Sequence, residues 1–188
     1  GDAPGELGDA LDPIPLGQAA VHAFADSDLT CAALADGSVK CFGYNGYGSV
    51  TNVPFPASVG DTVDLLPSHT FPSGGAAIEV AAGSGTAYAL LDDGSVVTWG
   101  TSKSTIGFGA GRHAVQFARS TLYDNYHYCA LLDDGQIACK VSGSAGQLGR
   151  NPALDPLIMP PEGYPLVDLG TDRTALAVAT GDAHTCAL

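Results

Sequence analysis

One short pattern recurs along this chain. Cys31-Ala-Ala-Leu-Ala-Asp-Gly-Ser-Val-Lys-Cys41 returns as Cys129-Ala-Leu-Leu-Asp-Asp-Gly-Gln-Ile-Ala-Cys139. It returns without cysteines as Tyr88-Ala-Leu-Leu-Asp-Asp-Gly-Ser-Val-Val-Thr98, and starts again at Cys186-Ala-Leu188. The anchors Cys31, Tyr88, Cys129 and Cys186 lie 57, 41 and 57 residues apart. Units of that size fit propeller blades or similar β-repeats, not heptads or short solenoid coils.

Each unit reads the same way. An alternating apolar run opens it: Ala19–Phe24, Ala76–Ala81, Ala114–Ala118 and Leu176–Ala179. Such alternation predicts a half-buried strand. A small polar turn and the Cys/Tyr-Ala-Leu-Leu strand follow. Asp-Gly then closes a hairpin, because glycine accepts positive φ there. A third strand ends in Phe42-Gly43 or Trp99-Gly100, before Gly-rich turns at Tyr44–Gly48 and Ser142–Gly149. The proline- and glycine-rich stretches Thr51–Ser73 and Arg150–Tyr164 read as loops or lids. Approximate repeat bounds are 1–50, 51–107, 108–149 and 150–188, the last cut short, within a single repeat domain.

Composition agrees with an all-β chain. Glycine at 25 and proline at 12 of 188 residues supply turns, and helix formers are scarce. A small antiparallel sheet cannot bury its faces alone. Radial stacking against neighbours does so and leaves only short protected edges, which predicts a partial β-propeller of about three and a half blades.

Charge narrows the function classes. The net charge is −13, from 20 acidic and 7 basic residues, too few cations to build a phosphate-binding patch. Nucleic acid and anionic membrane surfaces are therefore unexpected partners. No apolar run reaches the roughly 18 residues of a membrane span. The chain opens on Gly1-Asp2 without Met or a basic n-region, so a mature form or fragment is expected.

The motifs resemble the repeat of the regulator-of-chromosome-condensation family. Tyr88–Gly100 carries its Leu-Leu-Asp-Asp-Gly-Ser-Val-x-x-Trp-Gly part. Gly146-Gln147-Leu148-Gly149 matches its closing turn, and Gly181–Leu188 its Gly-x-x-His-Thr-Cys-Ala-Leu strand. The cysteine-bearing form, with Gly1–Leu11 as an inter-repeat loop, is similar to an extracytoplasmic branch. The resemblance implies a ring of about seven blades, of which this chain holds about half. Lys140-Val141 in place of Trp-Gly, and Ser49-Val50 in place of Gln-Leu-Gly, depart from the pattern.

Cys31/Cys41 and Cys129/Cys139 share a ten-residue offset around the Asp-Gly turn, which sets the pair facing each other on adjacent strands. Repeat two loses both positions together, to Tyr88 and Thr98, as a bonded pair would. Reduced core cysteines and a zinc site are the weaker alternatives, the latter lacking paired Cys-x-x-Cys ligands. Two disulfides imply an oxidising compartment: secreted, cell surface or an oxidising lumen. Cys186 has no partner in this chain. The position ten residues on falls past Leu188, so the ring is expected to be completed by further residues or another chain.

No nucleophile elbow, P-loop or His-Glu-x-x-His motif occurs. Asp92-Asp93 and Asp133-Asp134 sit at hairpin turns, where a structural role is expected. Asp26-Ser27-Asp28 with Asp36 lacks a complete calcium loop. The five histidines are scattered, with His127 and His184 at related positions expected to pack. Neither enzyme activity, a cofactor nor a metal is expected.

The expected function is a non-enzymatic protein-interaction scaffold within a larger extracytoplasmic assembly, contacting its partner through variable loops or an open blade edge. A carbohydrate-binding surface lectin is the alternative. Expected contact residues are Tyr123, Tyr126 and Tyr128 in the aromatic cluster, with Tyr44 and Tyr47, since tyrosine dominates such contacts. A core-filling role for the cluster is the competing reading.

Overall fold

The computed structural model describes residues 13–26, 28–50, 58–59, 66–71, 74–83, 85–120, 127–141, 144–150 and 164–188. Among these the chain is all-β, in four antiparallel sheets that follow one another along the sequence. The first contains β1 (Ala20–Ala25), β2 (Leu29–Leu34), β3 (Val39–Tyr44), β4 (Ser58–Val59) and β5 (Ser68–His69). The second contains β6 (Ala77–Gly83), β7 (Thr86–Leu91), β8 (Val96–Gly100) and β9 (Ser104–Ile106). The third contains β10 (Ala114–Arg119), β11 (His127–Leu132) and β12 (Ile137–Val141), and the fourth β13 (Val178–Thr180) and β14 (Thr185–Ala187). No helix is long and apolar enough to cross a membrane.

The apolar runs and Asp-Gly turns form the elements the sequence pattern predicts. At each turn glycine is left-handed: φ is 81° at Gly37, 78° at Gly94 and 77° at Gly135. The second aspartate of the turn closes it. Asp36 Oδ1 accepts both the Ser38 amide, at 3.0 Å, and the Ser38 hydroxyl, at 2.7 Å. Asp93 does the same with Ser95. These bonds, led by the serine hydroxyl, hold both carboxyls below their usual range. The first aspartate ties back to the opening of its own sheet: Asp92 Oδ1 accepts the Ala76 amide at 3.0 Å.

One expectation needs correction. The stretch 51–73 is not wholly loop. Ser58–Val59 pairs with Gly43 and Tyr44, and Ser68–His69 pairs with Val39 and Lys40. The outer edge of β3 would otherwise leave its backbone groups unpaired, and the returning chain supplies partners. Most of the second predicted loop, 151–163, lies outside the described residues.

The core lies between sheets, not within them. Cys31, Cys41, Val39, Val50, Ala87, Leu91 and Trp99 fill the space between the first and second. Tyr88, Leu90, Phe108, Tyr128 and Leu132 fill the next, and Leu131, Ile137, Leu148 and Val178 the last. Burying apolar surface this way makes each sheet depend on its neighbour.

Two kinds of bond reinforce each joint. The turn glycine of one sheet accepts an amide from the opening of the next: Ala77 N to Gly37 O at 3.0 Å, Ala114 N to Gly94 O at 3.0 Å, and Ala175 N to Gly135 O at 2.8 Å. A Cβ at Gly94 would fall 2.4 Å from the His113 Cβ, so glycine is required by packing as well as by φ. The second bond uses a polar side chain on the opening strand. His22 Nδ1 accepts the Val80 amide at 3.2 Å, Glu79 Oε2 that of Phe117 at 2.9 Å, and Gln116 Oε1 that of Val178 at 2.9 Å. All three follow the same register shift in their strands.

Candidate functional site

The cysteine pairs lie opposite each other across their hairpins. Cys31 faces Cys41 and Cys129 faces Cys139, with Sγ–Sγ distances of 2.12 and 2.08 Å. Both bonds are fully buried at sheet-to-sheet joints. In the second sheet Tyr88 and Thr98 take the same cross-strand place, which Tyr88 fills with a ring. Cys186 is a free, exposed thiol on β14.

Tyr44 ends β3 and Tyr47 lies in the turn that follows. Their rings meet edge to face with centroids 5.9 Å apart, and each residue stays 43% exposed. Two glycines make room. A Cβ at Gly46 would sit 2.2 Å from the Tyr44 hydroxyl, and one at Gly85 would sit 2.2 Å from the Tyr47 ring. The pair is thus laid against backbone as a small apolar platform with phenol groups. Ordered rings of this kind offer contact area at little entropic cost.

Tyr128 corrects the expected contact set. It is 7% exposed and sits on β11 among Phe117, Tyr88 and Tyr164. Its hydroxyl meets that of Tyr164 at 3.2 Å. As the residue preceding Cys129 on a middle strand, it points into the joint with the second sheet, opposite in face to the cysteine. Tyr123 and Tyr126 lie outside the described residues.

The other chemistry-bearing residues are spread among structural duties. His22 accepts the Val80 amide, His113 Nδ1 contacts Asp93 O at 2.7 Å, and His127 Nε2 contacts the Thr185 hydroxyl at 2.9 Å. His69 Nε2 lies 2.6 Å from Val50 O, against the Trp99 ring at 5.2 Å. Burial pulls the His69 imidazole below its ordinary range, against the pull of that carbonyl. Among the described residues no group of three or more His, Cys, Asp or Glu is placed to hold a metal. The carboxylate of Asp36, one of the residues weighed for calcium, is bonded to Ser38.

The polar clasp on the opening strands is a feature the repeat reading passed over. Its signal was present: each apolar run is broken at one matching place, by His22, Glu79 or Gln116. Arg119 also escaped notice. It is buried, donates to Ala82 O at 3.0 Å and lies 5.2 Å over the Tyr88 ring.

No protein-family model matches this sequence, and no curated protein does. Solved structures do match. Human WBSCR16 superposes with a TM-score of 0.69 at 18% identity, over 96% of this chain and 46% of its own. Prp20p from Saccharomyces cerevisiae gives 0.65 at 18% identity, over 88% of this chain and 41% of its own. Yeast RCC1 (Prp20) solved with Kap60 gives 0.66 at 18% identity, over 88% and 40%. The fold is therefore a β-propeller. More narrowly, it is that of the RCC1-type propellers, the chromosome-condensation-regulator repeat family that the motifs resemble. The chain spans less than half the length of these structures.

Proposed function

We propose that the chain is a non-enzymatic protein-interaction scaffold. In this reading it works in an oxidising, extracytoplasmic setting as part of a larger assembly, and its four repeats, 1–50, 51–107, 108–149 and 150–188, form one repeat domain. The carrying observation is the Tyr44–Tyr47 platform: exposed, edge-to-face, and seated on Gly46 and Gly85. Two buried disulfides support the compartment. The net charge of −13 favours a partner with a basic contact face. Among proteins with this fold, Prp20p has reported binding properties to Gsp1p and histones, and yeast RCC1 has been solved bound to Kap60. Protein binding by such a propeller surface is thus a use the fold supports, though fold alone assigns no partner.

The test is a paired binding experiment on the oxidised chain. Proteins chemically crosslinked to wild type are compared with those crosslinked to a Tyr44→Ala/Tyr47→Ala variant of equal thermal midpoint. Loss of a specific partner from the variant supports the reading. An unchanged set overturns the platform. Tyrosine-dependent hits on a glycan array would move the function to carbohydrate binding.

A further inference from the structure

A cleft of about 210 Å³ opens beside β14. Its walls include Ile137, Cys139, Leu148, Val167, Thr185 and Ala187. Internal repetition tells what such a cleft holds. Counting from the cysteine anchors, Ile137 stands where Val39 stands in the first sheet, Cys139 where Cys41 does, and Leu148 where Val50 does. Val167 stands where His69 does: His69 pairs with Val39, and the Val167 amide donates to Ile137 O at 2.8 Å. Thr185 and Ala187 stand where Ala87 and Ala89 do.

At the first joint these same positions surround Trp99. Its ring packs within a core that includes Val39, Cys41, Val50, Ala87 and Ala89. It lies 5.2 Å from the His69 ring and donates from Nε1 to Ser49 O at 2.7 Å. The cleft beside β14 is thus the counterpart of the Trp99 site, position for position. Trp99 arrives there on β8, paired along β7. Among the described residues, β14 pairs with β13 alone, so its other edge carries no ladder.

We propose that this edge and cleft form an acceptor site for an extended strand of a partner polypeptide carrying the triplet cysteine–aromatic–glycine. This deepens the scaffold reading and rests on it. Register supplies each element of the triplet. The residue facing Cys186 matches Cys41 facing Cys31 and Cys139 facing Cys129. The residue facing Thr185 matches Trp99 facing Ala87 and is the one that enters the cleft. The next residue faces His184 as Gly100 faces Thr86. Gly100 has φ 97°, and a Cβ there would lie 2.3 Å from Gly85 O, so glycine belongs at that place. Phe42-Gly43 and Trp99-Gly100 obey the rule in the first two sheets, while the third carries Lys140-Val141. Backbone pairing along an open edge, with a side chain in a pocket, is a general mode of peptide capture.

The experiment uses the whole chain and a labelled synthetic peptide, Asp-Gly-Ser-Val-Lys-Cys-Trp-Gly. Non-covalent binding is read by fluorescence polarisation on the Cys186→Ser variant. Replacing the peptide tryptophan by alanine is expected to weaken binding about tenfold or more. Ala187→Trp, which places a ring in the cleft, is expected to abolish it. The covalent step is then read by mass spectrometry with wild type and the peptide as its glutathione mixed disulfide. The Cys186 thiolate, its proton lost to solvent, attacks the peptide sulfur. The new S–S bond forms as the old one breaks, and glutathione thiolate leaves with the electron pair. Faster adduct formation for the tryptophan peptide than for the alanine peptide is expected. Equal binding and equal rates for the two peptides would overturn the proposal, and that comparison needs no variant. A Cys186–Cys186 dimer forming in place of the adduct would assign the edge to a second copy and also overturn it. Failure here, with Tyr44- and Tyr47-dependent partner capture intact, leaves the scaffold reading standing.

Discussion

Removing the Glu79 carboxylate tests how the sheets are joined. Glu79 Oε2 accepts the Phe117 amide at 2.9 Å across the joint between β6 and β10. In Glu79→Ala that amide loses its acceptor within a half-buried seam. An unpaired buried donor costs about 1–3 kcal/mol, and an ionised acceptor belongs to the stronger end. Glu79 is not fully buried, so solvent compensates in part, and about 1–2 kcal/mol is the expected loss. Glu79→Gln keeps an acceptor oxygen. The protein contains that solution already, since Gln116 Oε1 binds the Val178 amide at the same 2.9 Å one joint along. Glu79→Gln should therefore cost about 0.5 kcal/mol or less, only the charge assistance being lost. Urea unfolding of the oxidised chain at neutral pH, followed by far-UV circular dichroism, measures both. Equal destabilisation by Gln and Ala, or no loss in Ala, would refute the idea that a side-chain acceptor joins the sheets.

Trp99→Ala should cost about 3–5 kcal/mol in the same assay, from the lost ring volume and the orphaned Ser49 carbonyl, with Trp99→Phe clearly milder. His69 is held neutral by burial, so its folded imidazole titrates below the unfolded value of about 6.5. Its contribution is complete above that value and is lost as pH falls through the lower folded one, because the unfolded chain then binds the extra proton. Urea midpoints between pH 5 and 8 should therefore rise with pH, and the rise should shrink in His69→Asn. Each disulfide spans ten residues and should contribute about 2–3 kcal/mol by loop closure, so Cys31→Ser/Cys41→Ser should lower the midpoint in oxidising buffer and match wild type more nearly after reduction.

The strands were legible because each rests on local chemistry. Alternation in Ala114–Ala118 and the Asp134-Gly135 turn decide β10, and the β11–β12 hairpin, without reference to distant residues. Cross-strand cysteines follow from the same hairpin, since an offset of ten about a two-residue turn sets the register. Tyr128 was misread because tyrosine clusters look alike whether they face solvent or a neighbouring sheet. Its burial is decided by Phe117 and Tyr164, which lie far from it in sequence or across a strand. The short β4 and β5 strands were invisible for a related reason. Ser58–Val59 and Ser68–His69 have no pattern of their own and pair only because the edge of β3 is there to receive them. The socket beside β14 needed the structure too, because it appears only when the Trp99 joint is compared with the last one.

Peptide mass mapping of the unreduced protein, with free thiols alkylated first, tests the repeat architecture most directly. The account predicts Cys31 linked to Cys41, Cys129 linked to Cys139, and alkylation at Cys186 alone. A bond joining cysteines of different sheets, or alkylation of all five from an oxidising preparation, would contradict both the hairpin register and the compartment it implies.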